Sequence, residues 1–337
     1  MRLTPAAHAP RSDARLRRLA IWLGTLVVLG STGGACAVPR SSPETLASAI
    51  SIDIEAVPVP LTPQNPTRDG IGDFRYAGGL ILTSRQTDRL HGLSDLVVSD
   101  TDRLTVVGDL GVFLDARLVF DDAARLVGLA DASLQSLTGE DGRPLSDKED
   151  ADAEGLALLS SGDRLVSFER RHRILRYPAA GGSPRPVPAP DSAFPPNGGM
   201  EALAADPDAA GDAYVVGAEK TGDTWTCRLS APTCVKGPSI EMPAEFGLVA
   251  IARLPGMRTA YLLRAYDATR GNRISLQIFQ STTRVATMDM ARPLTVDNFE
   301  GLAAVPRADG SIRFFLLSDD NDDATQRTLL LAFDWRP

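Results

Sequence analysis

Three short segments of this 337-residue chain each set a glutamate before a small residue, a leucine and an alanine. They read DAEGLALL at Asp152–Leu159, GMEALAAD at Gly199–Asp206 and NFEGLAAV at Asn298–Val305. If the fold brings Glu154, Glu201 and Glu300 together, two chemistries are open. Clustered carboxylates repel, and a bound Ca2+ removes that repulsion because it takes about 6–8 oxygen ligands in flexible geometry. Alternatively one carboxyl keeps its proton, which is how a general acid is made. A purely structural use also fits, in which these glutamates accept backbone N–H bonds and brace neighbouring elements.

Two further sets accompany them. Acids stand at regular places downstream, at Asp109, Glu169, Glu219, Asp267 and Asp319. The last lies in LLSDDNDDATQR (Leu316–Arg327), which is acidic enough for an irregular Ca2+ loop with Asp319 and Asp320 as ligands. It is not an EF-hand, because the glycine position holds Ala324 and the bidentate glutamate position Leu330. Cations gather in SFERRHRILRYP (Ser167–Pro178), where Arg171, His172 and Arg173 follow Glu169 closely. Guanidinium forks bind phosphate bidentately and His172 could protonate a leaving group. Lys220, Arg264 and Arg327 fall at comparable places, and His91 precedes a Gly-Leu pair as the glutamates do. A phosphate site facing an acidic metal site is what metal-assisted phosphoester hydrolysis requires. Solvated turn charges and cross-strand ion pairs are the plainer account of the same residues.

The elements that must position these groups are short β runs punctuated by Gly, Asp, Asn and Pro, with no long amphipathic helix pattern. HGLSDLVVSDTDRLTVVGD (His91–Asp109) and FGLVAIARLPGMRTAYLLRAYD (Phe246–Asp267) align with the three glutamate segments. Each unit reads as a strand, a turn, a second strand and a terminal acid. Units start at Gly92, Gly155, Ala202, Gly247 and Gly301, a spacing of about 45 to 65 residues that points to an all-β propeller. Strands around Ser51–Val59 and Phe74–Thr83 would complete a sixth blade by pairing with C-terminal ones; five or seven blades are the alternatives, and a β-sandwich the rival architecture. If Gly-Leu opens the innermost strand, then His91, Glu154, Glu201, Phe246 and Glu300 ring the channel, and Phe246 interrupts its polar series.

The net charge is −8, and −12 without the first 37 residues, which hold five Arg and one Asp. That excludes the basic face a nucleic-acid partner needs. Residues 1–37 read as an export signal with a basic start and the apolar run LAIWLGTLVVLG at Leu19–Gly30. Ala35-Cys36-Ala37 predicts cleavage before Val38, or lipidation of Cys36, which would be the one membrane attachment. Arg17-Arg18 also permits a twin-arginine signal. Residues 38–49 read as a tether and 50–337 as the propeller, a monomer in a periplasmic or secreted setting. Export makes a Cys227–Cys234 disulfide across a hairpin the expected pairing.

As a set, YAGGLILTS (Tyr76–Ser84), HGLSDLVVSD, DAEGLAL, SFERRHRILRYP, NGGMEALA (Asn197–Ala204) and NFEGLAAVPRADGSIRFFLLSDDNDDATQRTLLLAFDW resemble the phytase-like proteins named for the esterase-like activity of phytase. The resemblance spans roughly residues 50–337 and implies an exported propeller that hydrolyses phosphoric esters. No G-x-S-x-G elbow occurs, so a serine hydrolase is excluded, and no P-loop occurs. After residue 37 the only histidines are His91 and His172, too few for a multi-histidine metal site. The leading expectation is a Ca2+-dependent hydrolase of small phosphorylated or ester substrates. Glu154, Glu201 and Glu300 would hold metal or exchange protons beside His172. Arg171, Arg173, Lys220, Arg264, Arg327 and His91 would bind substrate. The competing expectation is a non-catalytic envelope propeller with structural Ca2+.

Overall fold

The Leu-, Val- and Phe-rich runs pair into antiparallel sheets whose inner edges meet around a common axis. In this computed structural model the described residues are Val38, 41–209 and 211–337. The export-signal reading, including Cys36 and the cleavage site, falls outside them. Among the described residues, no helix is long and apolar enough to cross a membrane.

The sheets are five propeller blades. Blade 1 runs outward from Leu93–Val98 through Arg103–Gly108, Val112–Phe120 and Leu126–Ser136 to Ile50–Ser51 at its edge. Blade 2 holds Ala153–Leu158, Arg164–Phe168, Arg173–Tyr177 and Arg185–Val187. Blade 3 holds Ala202–Ala205, Ala213–Gly217, Thr224–Arg228 and Val235–Lys236. Blade 4 holds Gly247–Leu254, Arg258–Asp267, Gly271–Gln280 and Thr283–Met290. Blade 5 begins with Asn298–Pro306, Ile312–Asp319 and Leu329–Trp335, then continues with Phe74–Thr83 and Glu55–Pro58.

That last blade explains the count of five rather than six. The C-terminal unit supplies only three strands, so the N-terminal ones complete it: Leu330 pairs with Leu80, and Val57 with Ile81. They do pair with the C-terminal strand, as expected, but they finish an existing blade. Closing the ring in this way removes exposed sheet edges.

Adjacent blades bury each other's faces. Phe299, Phe314 and Phe333 pack between blades 4 and 5 with Leu262 and Leu276; Phe315 and Leu317 pack between blades 5 and 1 with Leu96 and Leu114. Every residue of Ile312–Asp319 is buried, which is why its middle, Phe314–Leu317, is continuously apolar instead of alternating. The inner strands crowd the axis. A Cβ on Gly155 would lie 2.6 Å from the Glu201 carbonyl oxygen, and one on Gly301 would lie 2.8 Å from Leu96 Cδ2. This crowding selects the small residue in the recurring Glu-small-Leu pattern.

Two expectations about the periphery resolve differently. Cys227 and Cys234 form the disulfide, tying the third strand of blade 3 to its outermost one. Residues 41–49 are not a free tether: Leu46 is fully buried, its carbonyl accepts from Ser136 N–H at 2.8 Å, and Arg89 Nε donates to the Ser41 carbonyl at 2.8 Å. A leucine and unpaired backbone groups gave this segment something to dock.

Candidate active site: an acid-lined funnel at the axis

The recurrence of glutamate has a backbone cause. In four inner strands a β-bulge sets two residues against one on the neighbouring strand. The pairs are Ser94-Asp95 opposite Val107, Glu154-Gly155 opposite Ser167, Val249-Ala250 opposite Leu262 and Glu300-Gly301 opposite Leu317. Glu201 has the same standing beside Ala202, which pairs with Gly217. A bulge re-aims a side chain out of the pleat. Here Glu154 and Glu300 at their bulges, and Glu201 just before its strand, face a funnel of about 960 Å3 that also takes in Ser94. Two residues beyond each opposing position stand Asp109, Glu169, Glu219, Arg264 and Asp319, and all five line the same funnel.

This register differs from the one the Gly-Leu pairs suggest. Leu93 and Leu248 correspond to Ala153 and Phe299, not to Leu156 and Leu302, so blades 1 and 4 are offset by three residues. His91 therefore lies before the inner strand of blade 1 rather than in the glutamate ring. Its Nδ1 meets Asp320 Oδ2 at 2.7 Å, and Asp320 also accepts from Gly92 N–H and Thr328 Oγ1. The Asp320 hydrogen bond raises the His91 pKa despite partial burial. In blade 4 the true equivalents are Val249, buried in the core, and Arg264 in place of an acid. Asp267 lies farther along and is held by Arg270 and Arg273. Phe246 stands at the funnel rim under the Arg273 guanidinium.

Eleven carboxylates and five cationic side chains line the funnel. Arg264 stands among them, bonded to Glu300, to Asn298 Oδ1 at 2.5 Å, and facing Glu219 Oε1 at 3.6 Å. Lys220 pairs with the other Glu219 oxygen. Lys148, set by a single helical turn (Lys148–Ala151) capped by Asp147, reaches Asp109 Oδ2 at 2.5 Å and Asp152 Oδ1 at 2.6 Å. Arg170 Nε donates to Asp152 Oδ2 at 2.6 Å. Glu169 accepts from the Gly198 and Gly199 N–H groups. Among the described residues nothing hydrogen-bonds the carboxylates of Glu154 or Glu201, and Asp109 Oδ1 is buried without a partner.

The consequences for protonation follow from burial and like charge. Burial, then Glu201 and Glu300, push Glu154 well above the carboxylate range. Burial, then Glu219 and Glu300, do the same to Glu201 against the pull of Arg264. Burial raises Glu300 while Arg264 and Asn298 hold it back. Burial and then Glu300 push Asp319 up to about 8. Arg264 is raised because Glu300, Glu201 and Glu219 overcome the opposing effect of its own burial.

These groups fit a divalent cation. Asp152, Glu154 and Glu169 each offer an oxygen, all within 4.8 Å of one another, and the set is entirely hard oxygen. The orphaned Asp109 oxygen and the unbonded Glu154 and Glu201 carboxylates are acceptors in need of positive charge.

Of the residues singled out in the sequence, Glu154, Glu201, Glu300, Asp319, Lys220, Arg264 and Arg327 line the funnel, Arg327 bonded to Asp297 Oδ2 at 3.0 Å. Arg171, His172 and Arg173 do not. Arg171 pairs with Asp150 at 2.8 Å, the His172 ring packs on Phe194 beside the Pro195 carbonyl, and Arg173 lies over the Phe168 ring at 4.0 Å. Their neighbour Arg170 enters the funnel instead. The signal for it was the repeated acid–base dipeptide Glu169-Arg170 and Glu219-Lys220, which puts both cations at the same place in adjacent blades. Asp152 carried a signal too, in the alternation of Asp150, Asp152 and Glu154. Lys148 carried none.

A five-bladed propeller with a carboxylate-lined channel mouth is thus the class that fold and site define. Residues 88–322, more than half the chain, match the phytase-like family described as esterase-like activity of phytase, and the chain belongs to that family. No protein of curated function matches it. Among solved structures it is similar to YCF48 bound to D1 peptide, at 13% identity over 68% of this chain and TM-score 0.37. It spans 62% of that chain, less than two thirds of its length. It is also similar to a catalytically inactive virginiamycin B lyase from Staphylococcus aureus with quinupristin, at 10% identity over 85% of this chain and all of that one, TM-score 0.43. A nidogen/laminin complex matches at 9% identity over 78% and 93% of the two chains, TM-score 0.41. These three likenesses carry no information about chemistry.

Proposed function

We propose that the funnel is a Ca2+-dependent site for hydrolysis of small phosphoric esters in an exported, monomeric protein. The observation that carries this reading is the convergence of Glu154 and Glu300, each at a backbone bulge, and Glu201, just before its strand, on one cavity that also holds cations. Asp152, Glu154 and Glu169 would hold the ion, with Glu201, Glu300 and Asp319 facing the same space. A bound divalent ion supplies charge neutralisation and polarisation of a phosphoryl oxygen. The chain's own residues do the rest. Lys220, Arg170 and Arg327 stand at the wall where ester oxygens would rest, as charge-assisted donors. Arg264 keeps Glu300 oriented and opposes the upward push of burial on its carboxyl. Burial and neighbouring carboxylates raise Glu201 and Asp319, so the one left unligated would be the group to give a proton to a leaving alkoxide. His172 and its arginine neighbours have no part in this account, because they stand outside the funnel. Export is supported by the disulfide, which needs an oxidising compartment.

One observation favours the competing reading of a binding propeller with structural Ca2+. Arg264 occupies the acid ring and its charge is already engaged by Glu300 and Glu219. The deciding measurement is phosphate release from phytate and simple phosphomonoesters, with Ca2+, with chelator, and with Glu300→Gln. Ca2+-dependent release that Glu300→Gln abolishes in a folded protein supports the hydrolase. No release from any substrate, with Ca2+ only raising the melting temperature, supports the binding propeller.

A further inference from the structure

Inner strands start at the funnel and end at the opposite face of the propeller. There, between blades 5 and 1, lies a second hollow of about 130 Å3 lined by Arg75, Arg125, Arg307, Arg313, Asp309 and Asp334, with Ser311. Its charges do not cancel. Arg313 is almost wholly buried and fully used: Nε and Nη2 each donate to Asp334 at 2.7 Å, and Nη1 donates to the Ala124 carbonyl at 2.7 Å. Asp309 is equally committed. One oxygen accepts from Ser311 N–H and Oγ, and the other from Arg336 at 2.9 Å, a cation that does not line the hollow.

Both acids are therefore neutralised by partners of their own. Arg75, Arg125 and Arg307 have no carboxylate within ion-pair distance among the described residues. Most other arginines in this acidic chain do have one. Three guanidinium groups around one small hollow repel each other, and the unsatisfied object is an anion. Arg75 and Arg125 are exposed and Arg307 is half-buried. Arg125 sits over the Tyr76 ring at 5.9 Å, and Arg307 closes the hairpin between Asn298–Pro306 and Ile312–Asp319 through a 2.8 Å bond from its N–H to the Ser311 carbonyl.

We propose that this hollow is a binding site for a single tetrahedral oxyanion of the phosphate class. Its volume suits one such group, and forked N–H donors match phosphate oxygens in pairs. The site is separate from the funnel and does not depend on the funnel's chemistry. The anion would be either free phosphate or a phosphate group on a larger molecule, since the hollow opens to solvent.

The test is calorimetric titration of the full chain with inorganic phosphate at low salt, in excess chelator so that no metal carries phosphate into the funnel. One-site binding is expected. It should weaken about tenfold or more in Arg125→Ala and in Arg307→Ala, each of which removes charge-assisted bonds. It should remain unchanged in Glu300→Gln. Arg307→Lys keeps the charge but not the fork, and should bind more weakly than wild type and more tightly than Arg307→Ala. If Arg307→Ala does not fold, Arg75→Gln on the exposed edge gives the same reading. Glycerol phosphate in place of phosphate separates the two sources: equal or tighter binding points to a headgroup-like ligand, weaker binding to free phosphate. No heat up to about 10 mM phosphate, where a millimolar site is mostly filled, would overturn the proposal. So would binding that all the arginine variants leave intact.

Discussion

Blades 2 and 4 have the same strand order and the same bulge at the same register, yet they present opposite charge to the axis. Blade 2 offers Glu154 and Glu169; blade 4 offers buried Val249 and Arg264. The repeat fixes where a side chain stands and leaves its identity open. With four blades contributing carboxylates at these ring positions, one blade has become the source of counter-charge. Blade 1 departs in another way. Where the others have Gly155, Ala202, Ala250 and Gly301, it has Asp95, fully buried, accepting from the backbone N–H of Leu96, Leu156 and Leu302 at 2.8, 2.9 and 3.2 Å. Those leucines belong to three different blades, and Leu156 and Leu302 each lie two residues after a funnel glutamate.

Breaking that tie is expected to have the largest effect. In Asp95→Ala three buried donors lose their acceptor, and with unmet donors costing about 1–3 kcal/mol each the total loss should be about 3–9 kcal/mol. Asp95→Asn retains an accepting oxygen of the same shape and should lose less. Urea unfolding of both variants measures this. A loss in Asp95→Ala of under about 1 kcal/mol would mean that water replaces the carboxylate and that the tie is dispensable.

Removing blade 4's counter-charge should come next. Arg264→Ala removes the ion-pair partner of Glu300 and leaves Glu219 with Lys220 alone, and loss of one partner from a largely buried ion pair costs about 3 kcal/mol. The comparison of blades sharpens the expectation, because the cost should appear in chelator and shrink when Ca2+ is added. A variant equally unstable with and without Ca2+ would show that Arg264 serves packing alone.

These effects bear on how far the sequence could be read. The propeller was legible because Glu-small-Leu recurs wherever an inner strand crosses the crowded axis, and the three true glutamates share that local rule. Blades 1 and 4 were misaligned because His91-Gly92-Leu93 and Phe246-Gly247-Leu248 imitate the pattern three residues early. Only cross-strand register distinguishes the imitation, and register is a long-range property. Five blades rather than six followed from strand exchange between chain ends, which no local pattern encodes. Arg171–Arg173 drew attention as a charge run, yet a turn at Arg170, with φ 52°, sends only that residue inward. Asp95 was invisible for a related reason: its value comes from N–H groups distant in sequence, at Leu156 and Leu302.

The smallest expected effect is also the most discriminating, because it reads protonation in place of folding. Glu154, Glu201, Glu300 and Asp319 all have raised pKa values in the folded chain. The folded state then holds protons that the unfolded state has released, so their contribution to stability is greatest near the unfolded carboxyl pKa of about 4 and is lost as pH rises toward the folded value, about 8 for Asp319. In chelator the melting temperature should fall by several degrees between about pH 5 and pH 8. Acids with lowered values, such as Asp163 and Asp309, act in the opposite sense, but their window closes below that range. Glu201→Gln and Asp319→Asn cannot ionise and should each flatten the slope, as should Ca2+ in the wild type. Blade 4 supplies the internal control. Asp267 is half-buried and held low by the Arg270 backbone N–H and side chain, so Asp267→Asn should leave the slope unchanged. Equal slopes in Glu201→Gln, Asp319→Asn and wild type would show that neither Glu201 nor Asp319 titrates in this range and would weaken the electrostatic case for a cation beside them.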